Sequence, residues 1–146
     1  MNQRERLLAV VADDIRQDGE DYLALRDLMQ ALYTFLLERD SEEIDRLNLQ
    51  ITRHVEALDL RARRRAKVLA AFRLPGDVDG MQRLLAGYAE PQASEVRRQW
   101  QQLGSLAAHC QQLNERNGKL LAMHHDVLQQ LLGDHLDARV YQPQPY

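Results

Sequence analysis

His109, Cys110, His124, His125 and His135 are the imidazole and thiol side chains gathered in the last third of the chain, which makes them candidates for metal or nucleophilic chemistry. If that segment is one helix, Cys110 and His124 project within about 40° of each other but stand roughly 21 Å apart at 1.5 Å per residue, far beyond a shared ion. The neighbours His109–Cys110 and His124–His125 diverge by about 100° per residue. Cys110 therefore reads as a small buried hydrophobe, and no metal is expected. Among the acids, Asp13–Asp14 and Glu42–Glu43 are adjacent pairs, and adjacent helical side chains do not face each other. Asp14 and Asp18 do share a side, with Asp18 near an apolar seam, but no partner acid, base or pocket for them is visible in the sequence. Phosphate-loop, dinucleotide-loop, serine-elbow and calcium-loop patterns are absent. Neither a cofactor nor catalysis is expected.

The most basic segment is RARRRAKVLAAFR, Arg61 to Arg73. On a helix its charges wrap the rod, with Arg61 and Arg65 on one side, Arg63 and Lys67 on another, and Arg64 and Arg73 elsewhere. Its one aromatic, Phe72, stands at the end of the run, so no aromatics interleave with the Arg61–Lys67 charges as stacking platforms. A solvated helix end is the expectation; a protein contact is the next reading and nucleic acid the least supported. Trp100 falls on an apolar face and reads as a core anchor. Asn114 and Asn117 border that same face, where an uncompensated amide costs about 1–3 kcal/mol. Either they set register through hydrogen bonds or the face awaits another chain.

The elements that carry these residues follow from composition and period. The 146 residues hold 25 Leu against 11 Val plus Ile, with 17 Arg, 2 Lys and only eight aromatics, a mixture that favours helix over sheet. The formal net charge of -3 gives no general electrostatic reason for a nucleic-acid partner. A lone cysteine cannot form an internal disulfide and fits a reducing compartment, so the cytoplasm is expected. The Leu7–Ala12 apolar patch is too short for a signal-peptide core, and no run is long enough to span a membrane.

A first helix is predicted from about Gln3 to Arg39 on the seam Leu7 or Leu8, Val11, Ile15, Tyr22, Leu25, Met29, Leu32 and Leu36, with Asp18 its polar member. Asp40 reads as the next N-cap, with Glu43 completing a capping box. The second helix uses Ile44, Leu47, Ile51, Val55, Leu58, Ala62, Leu69 and Phe72, and stops near Leu74 before Pro75. Asp77 or Asp79 caps a short helix holding Met81, Leu84 and Leu85. The last helix runs from about Gln92 to Leu132, with Gly133 as its stop. Asn117-Gly118 is a turn signal inside it, so a continuous helix is preferred and a kink or split is the alternative. The fold expected is all-α: an elongated antiparallel bundle or coiled coil of three long helices with a short connecting helix, whose long stripes bury one another pairwise. It occupies residues 1–133, followed by a flexible tail over 134–146 that contains Pro143 and Pro145.

The run from Trp100 to Gly133 resembles the FlgN-type flagellar type III export chaperones, chiefly through the LNxxNG block at Leu113, Asn114, Asn117 and Gly118, the Leu120-Leu121 pair and a tyrosine-containing tail. The Leu-rich first rod and the short DxxGMxxLL segment are similar to that family as well. The resemblance implies a non-enzymatic all-helical cytoplasmic chaperone. Its clients would be the hook-filament junction proteins FlgK and FlgL, bound before export through the flagellar type III apparatus. It implies a client-binding face at Leu113, Asn114, Asn117, Leu120, Leu121, Val127, Leu128, Leu131 and Leu132. The export-gate tyrosine matches Tyr141, with Tyr146 as the alternative. An unrelated coiled-coil adaptor is the competing reading, and a homo-oligomer is compatible with either.

Overall fold

The computed structural model describes the backbone of residues 1–133 and the side chains of residues 1–123. Four helices follow one another: α1 (Gln3–Glu38), α2 (Ser41–Ala71), α3 (Val78–Leu85) and α4 (Gln92–Gly133). The helix runs unbroken through Asn117-Gly118, so the turn signal there is overridden. The tail over 134–146 lies outside the described residues.

Local chemistry explains each boundary. Asn2 opens α1 by accepting a hydrogen bond from the Glu5 amide at 2.8 Å. At the other end Arg39 turns left-handed, with φ 56°, and the Arg39 and Asp40 amides close on the Leu36 and Phe35 carbonyls. The Asp40 carboxylate then accepts from the Glu43 amide at 3.3 Å and starts α2. The returning half of the expected capping box is not made. The Asp40 amide is already occupied by Phe35, and the Glu43 carboxylate takes Arg46 at 2.6 Å instead.

A second left-handed residue, Arg73 with φ 58°, ends α2, and the Leu74 amide returns to the Leu69 carbonyl. Asp77, not Asp79, caps α3 by accepting from the Gly80 amide at 2.9 Å. A β-carbon at Gly80 would stand 1.7 Å from the Pro75 carbonyl oxygen, which gives the glycine of the DxxG block a steric reason.

The bundle is organised around α1. It packs against both α2 and α4, whereas among the described residues the α2 and α4 backbones stay apart. The two outer helices meet through side chains, as where the Arg65 guanidinium lies 5.0 Å from the Trp100 ring centre. This differs from pairwise burial of three equivalent stripes. The reason lies in α2, whose apolar stripe is thin: Leu47 and Leu69 are buried, but Val55 and Ala62 are exposed, and Val68 is buried in their place. The core accordingly falls into separate clusters. One gathers Leu8, Val11, Ile15, Val68, Leu84 and Val96 at the α3 end. A second holds Leu25, Met29, Cys110 and Leu113, and a third holds Leu32, Leu36 and Leu47 near the α1–α2 turn.

Two contacts set the direction of α4. The Cys110 thiol donates to the Tyr22 carbonyl at 3.6 Å, and the Asn117 amide donates to the Met29 carbonyl at 2.9 Å. Both pairs are separated by 88 positions, so α4 runs parallel to α1 in a constant register.

Tyr88 fastens the loop before α4, its hydroxyl donating to the Leu8 carbonyl at 2.6 Å. Burial pushes its phenol up to about 12. An unfolded chain loses that proton near pH 10, so stability is complete below about pH 10 and falls as pH rises toward 12. Tyr88→Phe is expected to flatten this alkaline fall in urea midpoints, leaving the part due to Tyr22 and Cys110, which burial also raises. An unchanged slope would contradict the shielding. Gly80→Ala, in turn, is expected to cost at least about 1–3 kcal/mol in equilibrium unfolding, because backbone stands where the methyl would go.

Candidate functional site

A polar layer separates the α3-end cluster from the middle one. Asp14 and Asp18 project from α1 into the interface, each 2% exposed, and Asp21 continues the same side. From α2, Arg61 donates to Asp18 at 2.5 Å, and also contacts Asp21 and Gln17. Arg65 reaches the second Asp18 oxygen at 3.0 Å, and Arg64 grips Asp14 with two hydrogen bonds of 2.5 and 2.7 Å. That two-pronged contact raises the Arg64 guanidinium above its usual range. His54 completes the layer, its Nδ1 lying 2.6 Å from Asp21.

This layer corrects two expectations. Asp18 does have partners, and the basic segment is not simply a solvated helix end. Arg61 and Arg65 turn into the α1 interface, Arg64 reaches Asp14 from a position that stays half exposed, and Arg63, Lys67 and Arg73 lie on the outer surface, Arg63 paired with Asp59 at 2.9 Å. A legible signal existed: a hairpin closing at Arg39–Asp40 brings Asp18 opposite Arg61, since both lie equally far from the turn. His54 was missed altogether because the histidine reading stayed on the last helix.

The face implied for client binding is divided by the structure. Leu113 is buried with Leu25, Met29 and Cys110. Asn117 is only 4% exposed and faces the Met29 carbonyl. Both are covered by α1 in this conformation. Leu120 and Leu121 are half-buried against Leu32, Leu36 and Leu47, while Asn114 is exposed. Val127, Leu128, Leu131 and Leu132 lie on the α4 backbone, but their side chains are outside the described residues, as are those of His124 and His125. Tyr141, Tyr146 and His135 lie outside the described residues entirely.

Where the three long helices meet near the α1–α2 turn, they leave a crevice of about 220 Å³. Its apolar lining comes from Leu32, Leu36, Ile44 and Leu121, and its polar lining from Asp45, Asn48, Asn114 and Asn117. Trp100, half-buried beside the α3-end cluster, serves as a core anchor under Arg65. Cys110 is buried, and desolvation pushes its thiol up, away from nucleophilic use. Among the described residues no three His, Cys, Asp or Glu side chains converge as a metal site. No helix among them is long and apolar enough to cross a membrane.

The family model described as FlgN protein matches residues 1–133. No curated protein and no solved structure matches the chain.

Removing one partner from the polar layer leaves buried charge uncompensated. Arg61→Ala is expected to lower unfolding free energy by about 3–5 kcal/mol in urea titrations. The double change Asp18→Leu with Arg61→Met should recover only part of that loss, because Arg65 loses its Asp18 partner and keeps only the Trp100 ring, while Asp21 keeps only His54. A single-variant loss as small as that of an exposed pair, about 0–1 kcal/mol, would contradict the burial assigned to this layer.

Proposed function

Because the chain belongs to the FlgN family, a family of non-catalytic chaperones that bind flagellar substrates, we propose that it holds the hook-filament junction proteins FlgK and FlgL in the cytoplasm before their export through the flagellar type III apparatus. The client-binding surface is the distal part of α4: Asn114, Leu120 and Leu121, continued by Val127, Leu128, Leu131 and Leu132. Leu113 and Asn117 contribute from beneath it by fixing α4 on α1. Tyr141 is the contact to the export gate.

The observation that carries this reading is a difference in helix length. The constant separation of 88 positions sets Glu38, the last residue of α1, opposite position 126 of α4. The α4 backbone continues to Gly133, beyond the end of the helix that covers it. A helix whose sequence keeps a leucine period past its cover suits helix-in-groove recognition of another polypeptide. Release would come from competing contacts at the export apparatus.

Co-purification of the full chain with full-length and C-terminally shortened FlgK and FlgL tests this directly. Both full-length clients are expected to bind and both shortened forms to be lost. The pair Leu128→Asp with Leu131→Asp should weaken binding at least tenfold, about 1.4 kcal/mol, with the thermal midpoint unchanged. Equal binding of shortened clients, or full binding by the double variant, would reject the proposed surface.

A further inference from the structure

The side of α2 turned away from α1 carries a pattern that the bundle does not use. Leu49 and Leu60 stand 55% and 64% exposed. At 100° per residue they lie within about 20° of each other, and Glu42, Arg53, Glu56 and Lys67 share with them an arc of about 60°. All six are exposed, while the buried Leu47 and Leu69 project from the opposite side of the helix. The steps from Leu49 to Arg53, Glu56 and Leu60 alternate four and three residues, the spacing of a seam between paired helices. Exposed leucines scattered singly are ordinary on a protein surface. Two on one line, with charges set between and beyond them, make a stripe.

The order of the charges says what covers it. Reversing the stripe about the midpoint between His54 and Val55 sets Leu49 opposite Leu60, Arg53 opposite Glu56 and Glu42 opposite Lys67. These four charged residues make no ion pair among the described residues. Arg46 and Arg63 also fall at one level, but they diverge by about 100° to the two flanks of the stripe. Each already has its acid, Glu43 at 2.6 Å and Asp59 at 2.9 Å. A parallel pairing would set Arg53 on Arg53 and Glu56 on Glu56, and like charges face to face oppose association. Complementarity to its own reversed copy is what a two-fold dimer requires of a surface. We propose that α2 pairs antiparallel with α2 of a second copy of this chain. Two Leu49–Leu60 layers flank a central pair of Arg53–Glu56 contacts, and Glu42–Lys67 contacts close the ends. The pairing does not depend on the function proposed above.

Sedimentation equilibrium of the full chain tests the pairing. A reversible monomer–dimer equilibrium is expected at low salt, weakening as salt rises because the ion pairs are exposed. Arg53→Glu and Glu56→Arg should each weaken dimerisation at least tenfold, since each sets like charges opposite one another, with the unfolding midpoint of the dilute monomer unchanged. Combining the two should restore the dimer, an outcome that requires position 53 to face position 56. A chain that stays monomeric up to about 1 mM overturns the proposal and leaves the stripe to a different partner helix or to solvent. A dimer indifferent to either charge reversal overturns the assigned surface. Direction is read by disulfide trapping in a Cys110→Ser background. A mixture of the Leu49→Cys and Leu60→Cys proteins is expected to cross-link. Either protein alone is not, because like positions would stand about 16 Å apart along the helix axis. Cross-linking of like with like overturns the antiparallel arrangement.

Discussion

The contact between Asp18 and Arg61 holds α2 to α1 where apolar contact is thinnest, and the rest of the bundle depends on it. Two helices that meet through leucines alone can slide by a turn with little penalty, because one leucine replaces another. A guanidinium fork cannot, since its donors must meet carboxylate oxygens in a narrow range of directions. Asp14 with Arg64, Asp18 with Arg61 and Arg65, and Asp21 with Arg61 and His54 form a polar layer that admits one register. Such a layer contributes little net stability, because desolvating the charges offsets most of their attraction. Its contribution here is alignment, and it fits the exposure of Val55 and Ala62 in the same helix.

That alignment leaves α1 as a shared spine. With α2 fixed along one side, α4 takes another and is indexed by polar contacts of its own, Cys110 to Tyr22 and Asn117 to Met29. The apolar clusters fill the space between these polar marks. The hairpin end, where α1 and α2 turn and α4 continues, is where the crevice opens and where α4 runs on past α1. The functional reading therefore arises from unequal helix lengths around one spine.

Much of the fold was legible before any tertiary information. The three- and four-residue steps from Leu8 to Leu36 located α1, and Asp40 and Pro75 located the ends of α2 closely. The LNxxNG block pointed to the family. The candidate face was legible as a pattern but not as a surface: Leu113 and Asn117 share the period of Leu120, yet α1 covers the first two and only partly covers the third. Which members of a stripe lie inside depends on where the neighbouring helix begins and ends. The same limit hid the pairing of the arginines, since a charge run read alone gives no sight of the acids opposite it.

The order of residues by itself determined the helices, their caps and the direction of the α1–α2 hairpin, because each depends on interactions within a few positions of the chain. Only the tertiary structure decided that Asp14 and Asp18 would be buried beside arginines, that α2 and α4 would flank α1 without packing backbone to backbone among the described residues, and that Asn117 would be buried against the Met29 carbonyl. Those outcomes depend on how three rods of unequal length settle against one another. That packing is a balance of long-range burial and charge, which no local window of sequence contains.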